Sequence, residues 1–171
     1  MHANMENQYS PMLIVSLKGE VVTTVEAGSR HSVFATQSNK VFVCGDANQG
    51  QLGLGTNLQD RVMSPTEIES FRGTRMKQLC CGKFHTLFLS DSGDIWATGA
   101  NNFGQIGNNS TQTQYAPVKL DTRSKTLGGK SRKFAHLSAW HSSAAITEKG
   151  ELFVWGSGIY GEFRKPRQVK L

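Results

Sequence analysis

The chain has 171 residues, of which 37% are apolar and 19% charged, and it carries a net charge of +6. No apolar run approaches the roughly 20 residues that a membrane-spanning helix needs, and residues 1–10 form a polar tail without the apolar core of a secretory signal. Eighteen glycines against four prolines predict a β-rich protein with many tight turns.

The charge is unevenly placed. Residues 1–121 hold nine Lys/Arg and ten Asp/Glu, whereas residues 122–171 hold ten and three. An electrostatic partner is therefore expected at the C-terminal third. The cysteines are Cys44, Cys80 and Cys81. An odd, sparse set with two adjacent members reads as reduced structural thiols, in a cytoplasmic or nuclear protein that is not secreted.

The elements repeat along the chain. From Pro11 the first unit reads Ile14, Leu17, Gly19, Val22, Val25, Ala27, Gly28 and His31. Adding 54 to each number gives Pro65, Ile68, Phe71, Gly73, Met76, Leu79, Cys81, Gly82 and His85, each keeping its chemical class. Strands are predicted near 22–27 and 76–81. Further strands follow each histidine at 32–36, 86–89 and 142–146, and after a polar turn at 41–43, 95–97 and 152–155. Each second hairpin strand runs into a glycine-rich stretch. These stretches are Gly45 to Gly55, with Gly50 and Gly53, then Gly99 to Gly107, with Gly104, and a degraded copy from Gly156 through Gly161.

The third unit opens at Pro117 and aligns His141 with the two earlier histidines. Its Pro-to-His interval is 24 residues instead of 20, which predicts a four-residue insertion. Its histidine-to-glycine spacing is 15, against 14 in the other two. The units are 11–64, 65–116 and 117–165, with a basic insertion at 121–133, and residues 166–171 begin a fourth. A period near 54 residues holding about four antiparallel strands suits all-β propeller blades.

Gly28…His31-Ser32 with Gly45…Gly50-Gln51-Leu52-Gly53, and Gly82…His85-Thr86 with Gly99…Gly104-Gln105-Ile106-Gly107, resemble the repeat of the regulator of chromosome condensation family. The resemblance covers residues 11–171 and is weakest at Ser138, Glu162, Phe163 and Arg164. It implies blades of a β-propeller, typically of about seven. Three full units are fewer than the 4–8 blades of a closed ring. A fragment, a short isoform and a partial propeller completed by self-association all remain open. The resemblance also implies a non-catalytic interaction module for a protein partner. Alternatives are a guanine-nucleotide exchange factor for a small Ras-like GTPase, as for the family's founding member, and docking to chromatin.

Three histidines at equivalent places in three blades do not converge on one ion, so His31, His85 and His141 are expected to be buried structural residues, with no metal and no cofactor. Leu127-Gly128-Gly129-Lys130-Ser131 lacks the first glycine and preceding strand of a phosphate loop. No motif of a catalytic nucleophile or metalloprotease is present, and the chain is not expected to be an enzyme. The candidate partner-binding residues are Arg123, Lys125, Lys130, Arg132 and Lys133 in the insertion, with Arg164 and Lys165 in a second cluster.

Overall fold

A computed structural model describes residues 10, 12–55, 60–123, 129, 131–158 and 161–169. Within them lie three four-stranded antiparallel sheets, each a simple meander of consecutive strands. The first contains β1 (Val22–Ala27), β2 (His31–Thr36), β3 (Val41–Asp46) and β4 (Arg61–Glu67). The second contains β5 (Met76–Cys81), β6 (His85–Ser90), β7 (Ile95–Gly99) and β8 (Gln114–Lys119). The third contains β9 (Phe134–Ala139), β10 (Ser143–Thr147), β11 (Leu152–Gly158) and β12 (Gly161–Gln168). These are propeller blades. The first strands β1, β5 and β9 meet across the blade junctions, so they line the inner side. The outer strands β4, β8 and β12 mix half-buried and exposed positions without strict alternation.

The blades run one strand out of phase with the sequence units. Pro65, Pro117 and Pro166, which open those units, sit in the outer strands of blades 1, 2 and 3. Residues 166–168 thus complete the third blade. An outer strand tolerates proline because its solvent side needs no N–H donor.

Two apolar cores separate the blades. Val33, Val41, Val43, Leu52, Ile68, Phe71, Leu79 and Phe88 fill the first junction. Leu87, Leu89, Ile95, Ile106, Leu120, Phe134, Leu137, Phe153 and Trp155 fill the second. The middle blade explains the division. Along β6, Phe88 belongs to one core while Leu87 and Leu89 belong to the other, as the period-2 alternation of a strand requires. Each fully buried leucine or phenylalanine contributes about 1.5–3 kcal/mol.

The end faces lack this cover. On blade 1, Leu13, Ile14, Val22 and Val25 are exposed, and on blade 3 so are Trp140 and Ile146.

Candidate interaction surface

The repeat histidines clip each blade to the next. His31 Nε2 lies 2.9 Å from Thr86 Oγ1, and Thr86 Oγ1 donates to the Gln51 carbonyl at 2.7 Å. One junction later, His85 Nε2 lies 2.8 Å from Ser143 Oγ, which donates to the Gln105 carbonyl at 2.7 Å. Burial holds both imidazoles down at about 4, so they are neutral. A Cβ on Gly28 or Gly82 would strike the ring of His31 or His85, and at Gly82 also the Trp140 carbonyl at 2.8 Å. Gly45 (φ 110°) and Gly99 (φ 115°) hold a backbone shape that side chains rarely adopt, pressed against the main chain just before the histidines.

The glycine-rich stretches dock into the following blade. Gly50 and Gly53 lie against Gln114, Tyr115 and Pro117, and the Thr98 hydroxyl sits between the Gly50 carbonyl at 2.9 Å and the Gln114 carbonyl at 2.8 Å. Gly104 and Gly107 lie against Arg164 and Trp155, and Trp155 Nε1 donates to the Gln105 carbonyl at 2.8 Å. At the inner side, the Gln78 amide donates to the Leu137 carbonyl at 2.9 Å and accepts from the Leu137 N–H at 2.8 Å.

The third unit departs from the expected register. Ser143 pairs with Trp155 as Ser32 pairs with Cys44, so Ser142 stands opposite Gly156 in the slot of His31 and His85. His141 is one residue early and exposed, with its ring edge-on to Trp140 at 5.5 Å. The turn between β9 and β10 has lost one residue: Trp140 N donates to Ser142 O, where Gly82 N donates to His85 O. The insertion is correspondingly longer than four residues. Pro117 and Phe134 are 17 apart where the equivalent Pro65 and Met76 are 11 apart. Ser142 Oγ turns inward to the Ser157 carbonyl of its own blade. The described residues of the degraded third glycine stretch continue the sheet and form no docking turn. Gly156 and Gly158 end β11, and Gly161 begins β12, with Gly158 paired to Gly161.

The basic insertion leaves the sheet after β8 and is closed at its neck. Arg123 bridges to Ser131, and Arg132 N donates to the Thr122 carbonyl at 3.1 Å. Lys125 and Lys130 lie outside the described residues. Arg123 grips Asp121 through two hydrogen bonds of 2.8 and 2.7 Å. Lys133 binds Asp94 at 2.9 Å together with Lys119 at 2.8 Å. Burial opposes the Asp94 charge, but hydrogen bonds from Lys119, Lys133 and Ser92 hold its carboxyl at about 2. Lys133 thus ties blade 3 to blade 2.

Arg123, Arg132 and Lys165 come together with Lys119, which the sequence did not single out, in a cleft of about 450 Å³ at the rim of the second junction. Asn108, Asn109, Asp121, Phe134 and Phe153 complete its walls. Arg164 is exposed, with its carbonyl accepting from Asn109 N at 2.7 Å. The Arg132 guanidinium stacks 4.9 Å above the Phe153 ring. Among the described residues, no cluster of three or more His, Cys, Asp or Glu side chains is arranged to hold a metal ion.

The regulator of chromosome condensation (RCC1) repeat matches residues 38–89 and 92–145, and a second form of that repeat matches 22–51 and 76–105. The chain belongs to this family. It is 34% identical over 148 residues to the human X-linked retinitis pigmentosa GTPase regulator, covering 85% of this chain and 14% of the relative. It is 34% identical over 161 residues to the ultraviolet-B receptor UVR8 of Arabidopsis thaliana, covering 94% and 35%. The crystal structure of human WBSCR16 superposes with a TM-score of 0.74 at 26% identity, covering 87% of this chain and 38% of that one. Prp20p from Saccharomyces cerevisiae gives 0.75 at 20% identity, covering 88% and 38%. The chain thus spans between about one seventh and two fifths of the length of these proteins. Among its described residues no helix is long and apolar enough to cross a membrane.

Proposed function

We propose that this RCC1-repeat chain is a non-catalytic interaction module of the cytoplasm or nucleus, which meets an acidic surface of a protein partner with its cationic rim. The observation that carries this reading is the cleft at the second junction. Its walls carry Lys119, Arg123, Arg132 and Lys165 with one carboxylate, Asp121, while Asp94 and Glu151 pair with Lys119 and Arg132 from outside it. The repeat itself does not require these charges. Glu67 stands in blade 1 where Lys119 stands in blade 2, and Ser64 and Ala116 precede the outer-strand prolines where Lys165 does in blade 3. His31 and His85, by contrast, are consumed in holding blades together.

The test is the double charge reversal Arg123→Glu, Lys165→Glu, at two exposed positions. Proximity labelling in cells should lose its leading neighbours with the variant, while the melting temperature stays within a degree or two. An unchanged neighbour set overturns the reading.

A second reading is regulation of a small GTPase, favoured by likeness to a protein named a GTPase regulator. Exchange requires only tighter binding to the nucleotide-free GTPase, not a catalytic side chain. Release of labelled GDP from a panel of small GTPases decides it: acceleration supports exchange, and binding without acceleration supports a scaffold. Partners that are nucleosomal instead would move the proposal to chromatin. The open end faces also offer a route to self-association, which would show as a concentration-dependent molar mass.

A further inference from the structure

We propose that the rim cleft between blades 2 and 3 is a receptor for a phosphoryl group on a side chain of the partner protein. This deepens the interaction-module reading and rests on it. The cleft walls hold four cationic side chains and one carboxylate, Asp121. Lys119 is engaged by Asp94 and Arg123 by Asp121. Lys165 has no ion-pair partner among the described residues.

Arg132 is the sharper sign. Its Nε is buried and has no hydrogen-bond partner among the described residues. Glu151 Oε2 pairs with it electrostatically from 3.7 Å, beyond hydrogen-bond reach. Stacking on Phe153 holds the guanidinium in place. A buried donor on a charged group is expensive to leave without a hydrogen bond, so an added acceptor gains most at this guanidinium.

A phosphoryl group supplies what is missing. It carries close to two negative charges at neutral pH and three acceptor oxygens. Arginine matches those oxygens in its planar fork, and Lys165 adds a mobile point charge. Phe134, Phe153 and Pro166 give the cleft apolar walls, which strengthen the attraction. A volume of about 450 Å³ admits a phosphorylated side chain with its flanking peptide groups. A carboxylate offers one acceptor oxygen fewer and half the charge.

The experiment uses the full chain and three fluorescein-labelled short peptides of alanine and glycine, with serine, glutamate or phosphoserine at the centre. Fluorescence anisotropy should show the phosphoserine peptide binding at least tenfold more tightly than the serine peptide, and more tightly than the glutamate one. Arg132→Gln should abolish that difference, and Lys165→Gln should reduce it several-fold. The arginine Nε–H resonance of Arg132 should also shift when inorganic phosphate is titrated. Arg132 contacts Phe153, so a variant that fails to fold leaves Lys165→Gln, at an exposed site, to decide. Equal affinities for the three peptides, or a phosphoserine preference untouched by Lys165→Gln and Arg132→Gln, overturn the proposal. So does glutamate binding as tightly as phosphoserine, or duplex DNA displacing a peptide whose affinity ignores phosphorylation. Failure here with partner loss in the Arg123→Glu, Lys165→Glu variant leaves the interaction surface standing. Retention of partners by that variant removes the surface itself.

Discussion

His31 and Thr86, 55 residues apart in sequence, share a hydrogen bond of 2.9 Å across the junction of blades 1 and 2. Thr86 has a single hydroxyl proton and gives it to the Gln51 carbonyl. His31 Nε2 must therefore be the donor, which fixes the neutral tautomer. The His85–Ser143–Gln105 chain repeats the arrangement at the next junction. The clip thus reads the docking turn of one blade and the second strand of the next at a single point.

The clips predict acid sensitivity. Both imidazoles are held at about 4 by burial, against 6.5 for a free histidine. Between those values the unfolded chain binds protons that the folded chain refuses, so stability falls as pH drops from about 6.5 to about 4. The loss approaches about 3 kcal/mol per histidine at the acid end. Thermal melts from pH 7.5 to 4.5 should show a steady decline in melting temperature over this window. The decline should be shallower in His31→Gln.

Thr86→Val keeps the shape of the side chain and deletes the clip. It leaves the His31 donor and the Gln51 carbonyl without their partner at a buried site. The expected cost is about 2–4 kcal/mol by urea denaturation.

Two glycines predict different penalties for different reasons. At Gly82 an added methyl would meet the His85 ring and the Trp140 carbonyl, so Gly82→Ala should displace the clip and cost several kcal/mol. At Gly73 (φ 79°) nothing lies within 4 Å, so Gly73→Ala should cost only the left-handed backbone, about 1 kcal/mol. Denaturation midpoints of the two variants check the order.

The thiols should be inert in the folded chain. Burial pushes Cys81 up to about 12 and Cys80 up to about 11, and raises Cys44. Thiolate is the reactive form. Alkylation by iodoacetamide at pH 8 should be slow for all three and become rapid only in denaturant.

The regular part of this architecture was legible because its determinants are local and repeated. Gly28 and His31 lie on one turn, and the 54-residue offset shows the pattern twice. The outer strands were harder to locate, since Pro65, Pro117 and Pro166 and exposed charges blur the alternation. The third unit misled by one residue. A shortened β9–β10 turn moved Ser142 into the histidine slot, and the 15-residue spacing to Gly156 was its trace in the sequence. Of the basic cluster, Lys133 proved to be tied to Asp94, and Lys119 joined Arg123, Arg132 and Lys165 only through the blade junction. No local pattern marks a site built from two blades.

Partners of this chain should land on the rim of the second junction. Hydrogen–deuterium exchange of the chain, alone and with a partner recovered by labelling, tests this most directly. Added protection is expected at residues 119–123, 131–134 and 163–167. Protection confined to the exposed faces of blade 1 around Val22–Val25 or of blade 3 around Trp140–Ile146, with the rim unchanged, would contradict it.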